Sequence, residues 1–591
     1  MTAQNPFIYS TPDQIRDPQE ALNLFVDVFK DFRLIESVGN TFVNGARGSG
    51  KSMMFRVMRP DCQMLRLGNH KLEALAYFAV YVPIKDTSLA ISELDLLSKK
   101  HGEFILNENL LCIYFGISIL KCLSDLDLDG YATATDEAIQ FYKESFIPLV
   151  SNAGYELKEL PVCNAPKDCY THGYVELELA LTRFIDYIKR LALGAQHQSY
   201  DGPIFTYRSF LLPLIESVRR LTFFPIGKPM YLLVDDADLL NRPQTQTLNS
   251  WVSFRSTASV CFKISTQLNY KSYYTTNTQT RIDSPHDYHE INLSDVYTSN
   301  LKGRYKSNLK AMVEKRLHHL GGIDSSAEKF FPRNEAQQAQ FERLFESMEK
   351  EYGYDFAYRN ASLDYMLGLK NRYRYSYAGF EQLVHLSSGI VRNFIDMAFK
   401  MYDRASKGKD AADHPISEVP VAVQDAAILE HSTWVLAQLE KTIQDGELPI
   451  AHLNKFRMLK VLLDSMGKAF RMFMESKSSE RKKFSFYFDG EVSREVSEVL
   501  RLGVSEGLLH QSTLASKTGL GRSSLYVMNR ILAPIYQLEP FSFTGYLNLT
   551  AERVEQAARD EKGFLQYIKD RIASKVDEQN ASEQTQIEFP R

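Results

Sequence analysis

The residues best suited to chemistry stand together at Gly45-Ala46-Arg47-Gly48-Ser49-Gly50-Lys51-Ser52, a G-x-x-x-x-G-K-[ST] pattern. Glycines in such a loop let backbone N–H groups turn inward around a phosphate chain, and a helix starting just after it adds the partial positive charge of its N-terminus. The pattern assigns Gly45, Arg47, Gly48, Ser49 and Gly50 to that cradle, with Met53 in the first helical turn. Lys51 then reaches the β- and γ-phosphates and the Ser52 hydroxyl ligates Mg²⁺. Such a loop needs an acidic partner, and residues 231–240 (YLLVDDADLL) supply one at the end of a buried-strand run. A carboxylate at a strand's C-terminal edge is where Mg²⁺ and its water would be held. Asp235 is therefore assigned to Mg²⁺, and Asp236 to orienting or deprotonating an attacking water; a turn or helix cap is the bland alternative for each. ATP and Mg²⁺ are the cofactors this chemistry implies.

The elements that must position these groups are legible beside them. Residues 41–44 (TFVN) are β-like, and residues 52–58 read as a helix start stopped by Pro60. Strand, glycine loop and helix is the arrangement the phosphate chemistry requires. A third strand-like run, residues 259–265 (SVCFKIS), leads into Thr266-Gln267. In P-loop ATPases with an inserted central strand a polar residue here senses the γ-phosphate; Thr266 is the first choice, with Ser265 and Gln267 as alternatives.

The order of parts then becomes specific: phosphate loop, Asp-Asp strand, polar-ended strand, YHEINL at 288–293, and a helical region with LSSGIVRNFIDMAFKMY at 386–402. This resembles an AAA+ P-loop ATPase of the origin-recognition-complex or initiator type. The resemblance implies an α/β fold: an AAA+ core with a parallel sheet, a helical insertion, a helical lid and a C-terminal winged-helix-like domain. It implies that Arg392, in Ser388-Gly389-Ile390-Val391-Arg392, is a second sensor that touches the γ-phosphate from the lid. It also implies an arginine finger before the last core strand, for which Arg281 is positioned and Arg304 competes. Asp236 stands where most of that family carries Glu, and Asp-Asp is common in signal-transducing (STAND) ATPases, so slow turnover is expected.

Lys51 and Asp235 lie 184 residues apart, where one crossover needs only ~30. A helical insertion at about 100–225 accounts for the difference. Within it Leu177, Leu181, Phe184, Ile188 and Leu191 form a 4-3-4-3 stripe, read as core packing or as a docking surface. The domain reading is a core at 1–299, a lid at 300–405, a winged-helix-like domain at 421–555 and a polar, mobile tail at 560–591. The lid contains an aromatic-basic stretch, 371–380, whose Arg372 and Arg374 could stack on nucleic acid.

Bulk properties narrow the partners. The 591 residues exceed one hydrophobic core and carry a net charge of −4, so nothing global advertises nucleic acid or membrane. Residues 453–530 hold 14 Lys/Arg against 8 Asp/Glu, and there Lys477, Arg481, Lys482, Lys483, Lys517, Arg522 and Arg530 could contact DNA phosphates. A protein-binding winged helix is the alternative. The N-terminus lacks the basic and apolar regions of a signal peptide, and no 18-residue apolar run is present, which gives a cytoplasmic reading without membrane. Six scattered cysteines fit reduced thiols. Cys163-x5-Cys169-x2-His172 lacks a fourth ligand for structural zinc. The function expected is a nucleotide-dependent oligomerisation switch. It would assemble as a homo-oligomer, hydrolyse ATP slowly, and engage DNA or control a separate effector protein, in a prokaryotic antiviral defence setting. A replication-initiator or DNA-remodelling ATPase is the alternative.

Overall fold

The structure is a computed structural model that describes residues 5–69, 71–84, 103–157, 162–192, 200, 202–254, 256–267, 270–277, 279–293, 302–353, 357, 361, 375–407, 416–476, 483–515, 522–540 and 545–587. It divides into two compact units. The first comprises Thr11–Gly45 and Lys51–Leu293; the second comprises Met1–Ser10, Ala46–Gly50 and Ser294–Arg591.

The first unit is built on a five-stranded sheet of order β2-β3-β4-β1-β5, where β1 is Thr41–Asn44, β2 Phe78–Pro83, β3 Met230–Asp235, β4 Val260–Thr266 and β5 His289–Asn292. Every pairing is parallel. Parallel sheets are covered on both faces, and their strands read as continuous apolar runs; β3 and β4 are buried along their whole length. The central position of β4, between β1 and β3, is the inserted strand expected from the sequence. The helix after the glycine loop, Lys51–Met58, ends before Pro60, which opens a second helix, Pro60–Leu67.

The insertion is helical, as its length and stripe predict. Its two long helices, Glu103–Ser124 and Pro166–Ala192, pack along one another. Gly116 permits the close approach: a Cβ there would lie 3.1 Å from Leu177 Cδ1 and 3.0 Å from Phe210 Cε1. Leu177, Leu181, Phe184 and Ile188 are buried in this core, and Leu191 is half-buried. The stripe is therefore spent on packing, and the docking alternative is set aside. The Phe104–Ser124 stretch is long and apolar enough to cross a membrane, but it is mostly buried here.

The second unit holds the lid helices, among them Lys302–Gly321, Phe380–Leu386 and Val391–Ser406. It also holds Val421–Asp445, Ile450–Glu475 and a sheet of order β7-β8-β6-β9. Here β6 is Ser485–Asp489, β7 Leu509–Ala515, β8 Arg522–Met528 and β9 Tyr546–Thr550. Helix Arg494–Ser505 lies between β6 and β7, and β7 and β8 pair antiparallel, which is a winged-helix-like order. Beyond β8, Arg530–Leu532 is a 3-10 turn and Ala533–Tyr536 a short helix with Pro534 in its first turn. One sequence expectation changes. The tail expected to be mobile forms a helix, Glu561–Ile587, anchored by buried Phe564 and Ile568 four residues apart.

Removing a ring from the insertion core leaves a cavity. Phe184→Ala should cost about 3–5 kcal/mol, seen as an earlier midpoint of urea unfolding followed through Trp251, which belongs to the same core.

Candidate functional site

Three strand ends of the first unit meet at one sheet edge. Asn44 pairs in register with Thr266, and Asp235 with Pro83. The Gly45 N–H, the first of the glycine loop, donates to the Thr266 carbonyl at 3.1 Å, so the chain leaves β1 still tied to β4. Lys51 is buried at the start of its helix, where Nζ donates to the Gly45 carbonyl at 2.7 Å. Ser52 and Met53 are half-buried in the same turn.

Asp235 is 2 % exposed and held from several directions. Its Oδ2 accepts from the Tyr81 hydroxyl at 2.9 Å, and its Oδ1 accepts from the Ser265 hydroxyl and from the Asp236 N–H. Asp236 adopts a left-handed φ of 56°, and its N–H is also held by Ser265 Oγ at 2.9 Å. The strained turn that aims the Asp236 side chain is thus fixed by Ser265. Thr266 is fully buried, with Oγ1 donating to the Gln267 carbonyl at 3.1 Å.

Asp238 was not singled out by the sequence reading. It lies half-buried beyond Asp236, within the electrostatic reach of Lys51, and accepts from the Gln267 backbone N–H. Its Oδ1 is buried without a hydrogen-bond partner. Burial, with the neighbouring Asp236 charge, raises its carboxyl above the ordinary value, while Lys51 opposes the shift. The signal was present as a third acid in D-D-x-D, spaced to return to the same edge after one tight turn.

In the second unit, Gly48 carries a φ of 86°, which a residue with a side chain would hold only under strain. A Cβ there would stand 2.6 Å from Arg392 Cβ. The Gly48 carbonyl accepts the Arg392 N–H at 3.0 Å, and Arg392 Nε is buried without a hydrogen-bond partner. Ser49 Oγ is likewise buried and unpaired. Arg47 is exposed and Gly50 half-buried. Burial of its carboxyl raises Glu506 above the ordinary glutamate value, and the nearby Arg47 opposes the shift.

The lid motif is also tied to the C-terminal module. Ser388 has a left-handed φ of 51°, and its Oγ accepts the Arg530 N–H at 2.8 Å. Tyr377 Oη donates to the Leu538 carbonyl at 2.9 Å.

Other candidates fall elsewhere. Arg281 is 58 % exposed in a loop, loosely paired with Asp283 and lying over the Tyr273 ring. Arg304 is exposed on the helix Lys302–Gly321 of the second unit. Of the proposed DNA contacts, Lys477, Arg481, Lys482 and Lys517 lie outside the described residues, as do Arg372 and Arg374; Arg522 lies on β8. Two others turn inward. Arg530 is 1 % exposed, with Nε donating to the Pro540 carbonyl and the guanidinium over Phe484. Lys483 is buried over Phe473. Both are corrected from phosphate contacts to interior cations. On helix Arg494–Ser505 the exposed charge is largely paired, Arg494 and Lys455 with Glu498 and Arg559 with Glu495.

The raised Asp238 carboxyl has a consequence for stability. The folded state binds that proton more tightly than the unfolded chain, so rising pH costs stability between the ordinary aspartate value and the raised one. Asp238→Asn mimics the protonated form; it should stabilise at pH 7 and have no such effect below pH ~3.5, read from urea midpoints at both pH values.

No curated protein matches the chain significantly. A family model described as ORC-CDC6-like matches residues 5–353 and 347–549. Similar solved structures include the Aeropyrum pernix ORC1 protein in complex with DNA, at 10 % identity over 90 % of this chain and 96 % of that one, TM-score 0.27. They also include Cdc6p from Pyrobaculum aerophilum, at 10 % identity over 96 % of this chain and 98 % of that one, TM-score 0.26.

Proposed function

We propose that this chain, which belongs to the ORC-CDC6-like family, binds ATP with Mg²⁺, hydrolyses it slowly, and uses it as a switch for self-assembly and for engaging DNA. The observation that carries this reading is the meeting of strand ends at one edge. There β1 runs into the glycine loop, β3 ends in Asp235-Asp236, and β4 between them ends in Thr266.

The groups present fit a triphosphate. Lys51 is a buried cation at a helix start, and its Nζ donates to the Gly45 carbonyl. Ser49 Oγ and Arg392 Nε are buried donors without a partner, a state that costs free energy until an acceptor fills it. Ser52 and Asp235 would hold Mg²⁺, Asp235 through water because Tyr81 and Ser265 already engage both its oxygens. When bound, the ion would neutralise charge on the phosphate oxygens. Asp236 orients the attacking water and accepts its proton. Its side chain is one methylene shorter than Glu and its backbone is pinned by Ser265, which supports slow turnover. Arg392 contributes charge toward the γ-phosphate from the lid, Thr266 senses that group from β4, and Arg281 reaches a neighbouring protomer.

A second reading, control of a separate effector protein, is favoured by the interior positions of Arg530 and Lys483. They remove two cations from the surface a nucleic acid would meet.

Wild type should bind a fluorescent ATP analogue, and Lys51→Ala should weaken that binding at least ~100-fold. Arg392→Ala should lower phosphate release by roughly 10–100-fold with a smaller change in binding. Absence of ATP binding by folded wild type would sink the reading. DNA affinity should fall steeply with salt; a flat salt response would favour the effector reading.

A further inference from the structure

We infer that Ser388 and Ile390 are positioning residues through which the C-terminal winged-helix-like module sets Arg392 against the glycine loop. This role rests on the proposed ATP site, because Arg392 has no position to keep if no nucleotide binds. Every contact concerned lies within the second compact unit. Between helices Phe380–Leu386 and Val391–Ser406 the chain reverses through Ser387, Ser388, Gly389 and Ile390, closed by the Ile390 N–H donating to the Ser387 carbonyl at 2.8 Å. Both central residues are left-handed, Ser388 at φ 51° and Gly389 at φ 75°. That is the sign pattern of a type I′ turn, where glycine or asparagine is usual. A serine there carries strain. Glycine would meet the backbone demand at less cost; what the serine adds is an acceptor. Its Oγ takes the Arg530 N–H at 2.8 Å, from a residue 142 positions away, and both residues are 1 % exposed.

A second contact runs beside the first. A Cβ added at Gly48 would stand 3.2 Å from Ile390 Cγ2, and one added at Gly507 would stand 3.6 Å from Ile390 Cδ1. The buried Ile390 side chain thus fills the space between the glycine loop and the turn that follows helix Arg494–Ser505. Asn529 ties that turn to Arg530. Its Nδ2 donates to the Gly507 carbonyl at 2.6 Å, its N–H donates to the Leu508 carbonyl at 2.9 Å, and its Oδ1 accepts the Ile531 N–H at 3.0 Å. The module therefore grips the lid turn at two points, and Asn529 fixes their separation. Two residues beyond Ile390, the Arg392 N–H donates to the Gly48 carbonyl at 3.0 Å, so the grip ends on the glycine loop itself.

A guanidinium aimed by a rigid turn has little freedom left to lose when it meets a γ-phosphate. Without the serine hydroxyl the turn loses its tether, and Arg392 spends time in positions that do not serve the transition state. Lys51 and the loop still hold the nucleotide, so turnover falls more than binding. Whatever seats on the C-terminal module then bears on hydrolysis through this turn, without touching the nucleotide.

The test is a double-mutant cycle in the full chain. Ser388→Gly keeps the turn and removes the acceptor. Phosphate release should fall about 3- to 10-fold while binding of the fluorescent ATP analogue changes less than about 2-fold. In an Arg392→Ala background the same substitution should cause no further loss. Asn529→Ala, outside both the lid turn and the glycine loop, should behave alike. Losses that multiply in the double variants overturn the proposal, because a merely structural role acts independently of Arg392. If a variant fails to fold, wild type decides: a non-hydrolysable ATP analogue should slow amide exchange at least ~threefold at 529–532 as well as at 387–392, and slowing confined to 387–392 overturns the proposal. Wild type that binds no nucleotide sinks the ATP site and this role with it, whereas wild type that turns ATP over with multiplying losses sinks the positioning role alone.

Discussion

The candidate site depends on the confinement of one four-residue strand. β1 is hydrogen-bonded to β4 on one side and β5 on the other, and all four of its residues are buried. A strand so enclosed cannot slip by one residue without reversing every side chain. Its C-terminal end is therefore a fixed point. The Gly45 N–H continues the ladder to Thr266, so the glycine loop starts from a set position and direction. Lys51 closes back onto the Gly45 carbonyl, and the functional residues inherit their geometry from a backbone that the sheet has already immobilised.

The parts of this arrangement that were legible in the sequence are the contiguous ones. Eight consecutive residues encode the phosphate loop, and the apolar runs of β3 and β4 announce themselves because a parallel sheet buries both faces. The helical insertion followed from the distance between Lys51 and Asp235 together with a clean apolar stripe. What remained hidden depends on contacts between remote segments. Arg530 read as a surface cation because charge near other basic residues suggests a solvated face. Its burial rests on Phe484 and the Pro540 carbonyl, which composition does not reveal. Asp238 belongs to the same edge only through the tight turn after Asp236, a feature of the three-dimensional fold that the strand-end pattern does not encode. The C-terminal helix was missed because two apolar anchors, Phe564 and Ile568, are a faint signal amid polar residues.

The first unit packs long apolar helices against a parallel sheet in one continuous cluster. The second contains polar clamps between its segments. In it Gln424 accepts the Gly379 N–H and donates to the Pro332 and Val419 carbonyls, and Asp425 accepts the Tyr377 N–H. Buried polar links of this kind are costly to leave half-made, so the lid and the C-terminal helices favour a single mutual arrangement over a range of them.

The bond from the Arg530 N–H to Ser388 joins the C-terminal module to the residue that opens the turn before Arg392. Thermodynamic linkage makes such a joint two-way. If occupancy at the glycine loop alters how tightly the module grips its own ligand, that ligand must alter nucleotide affinity by the same factor. The serine is then a reporter in both directions.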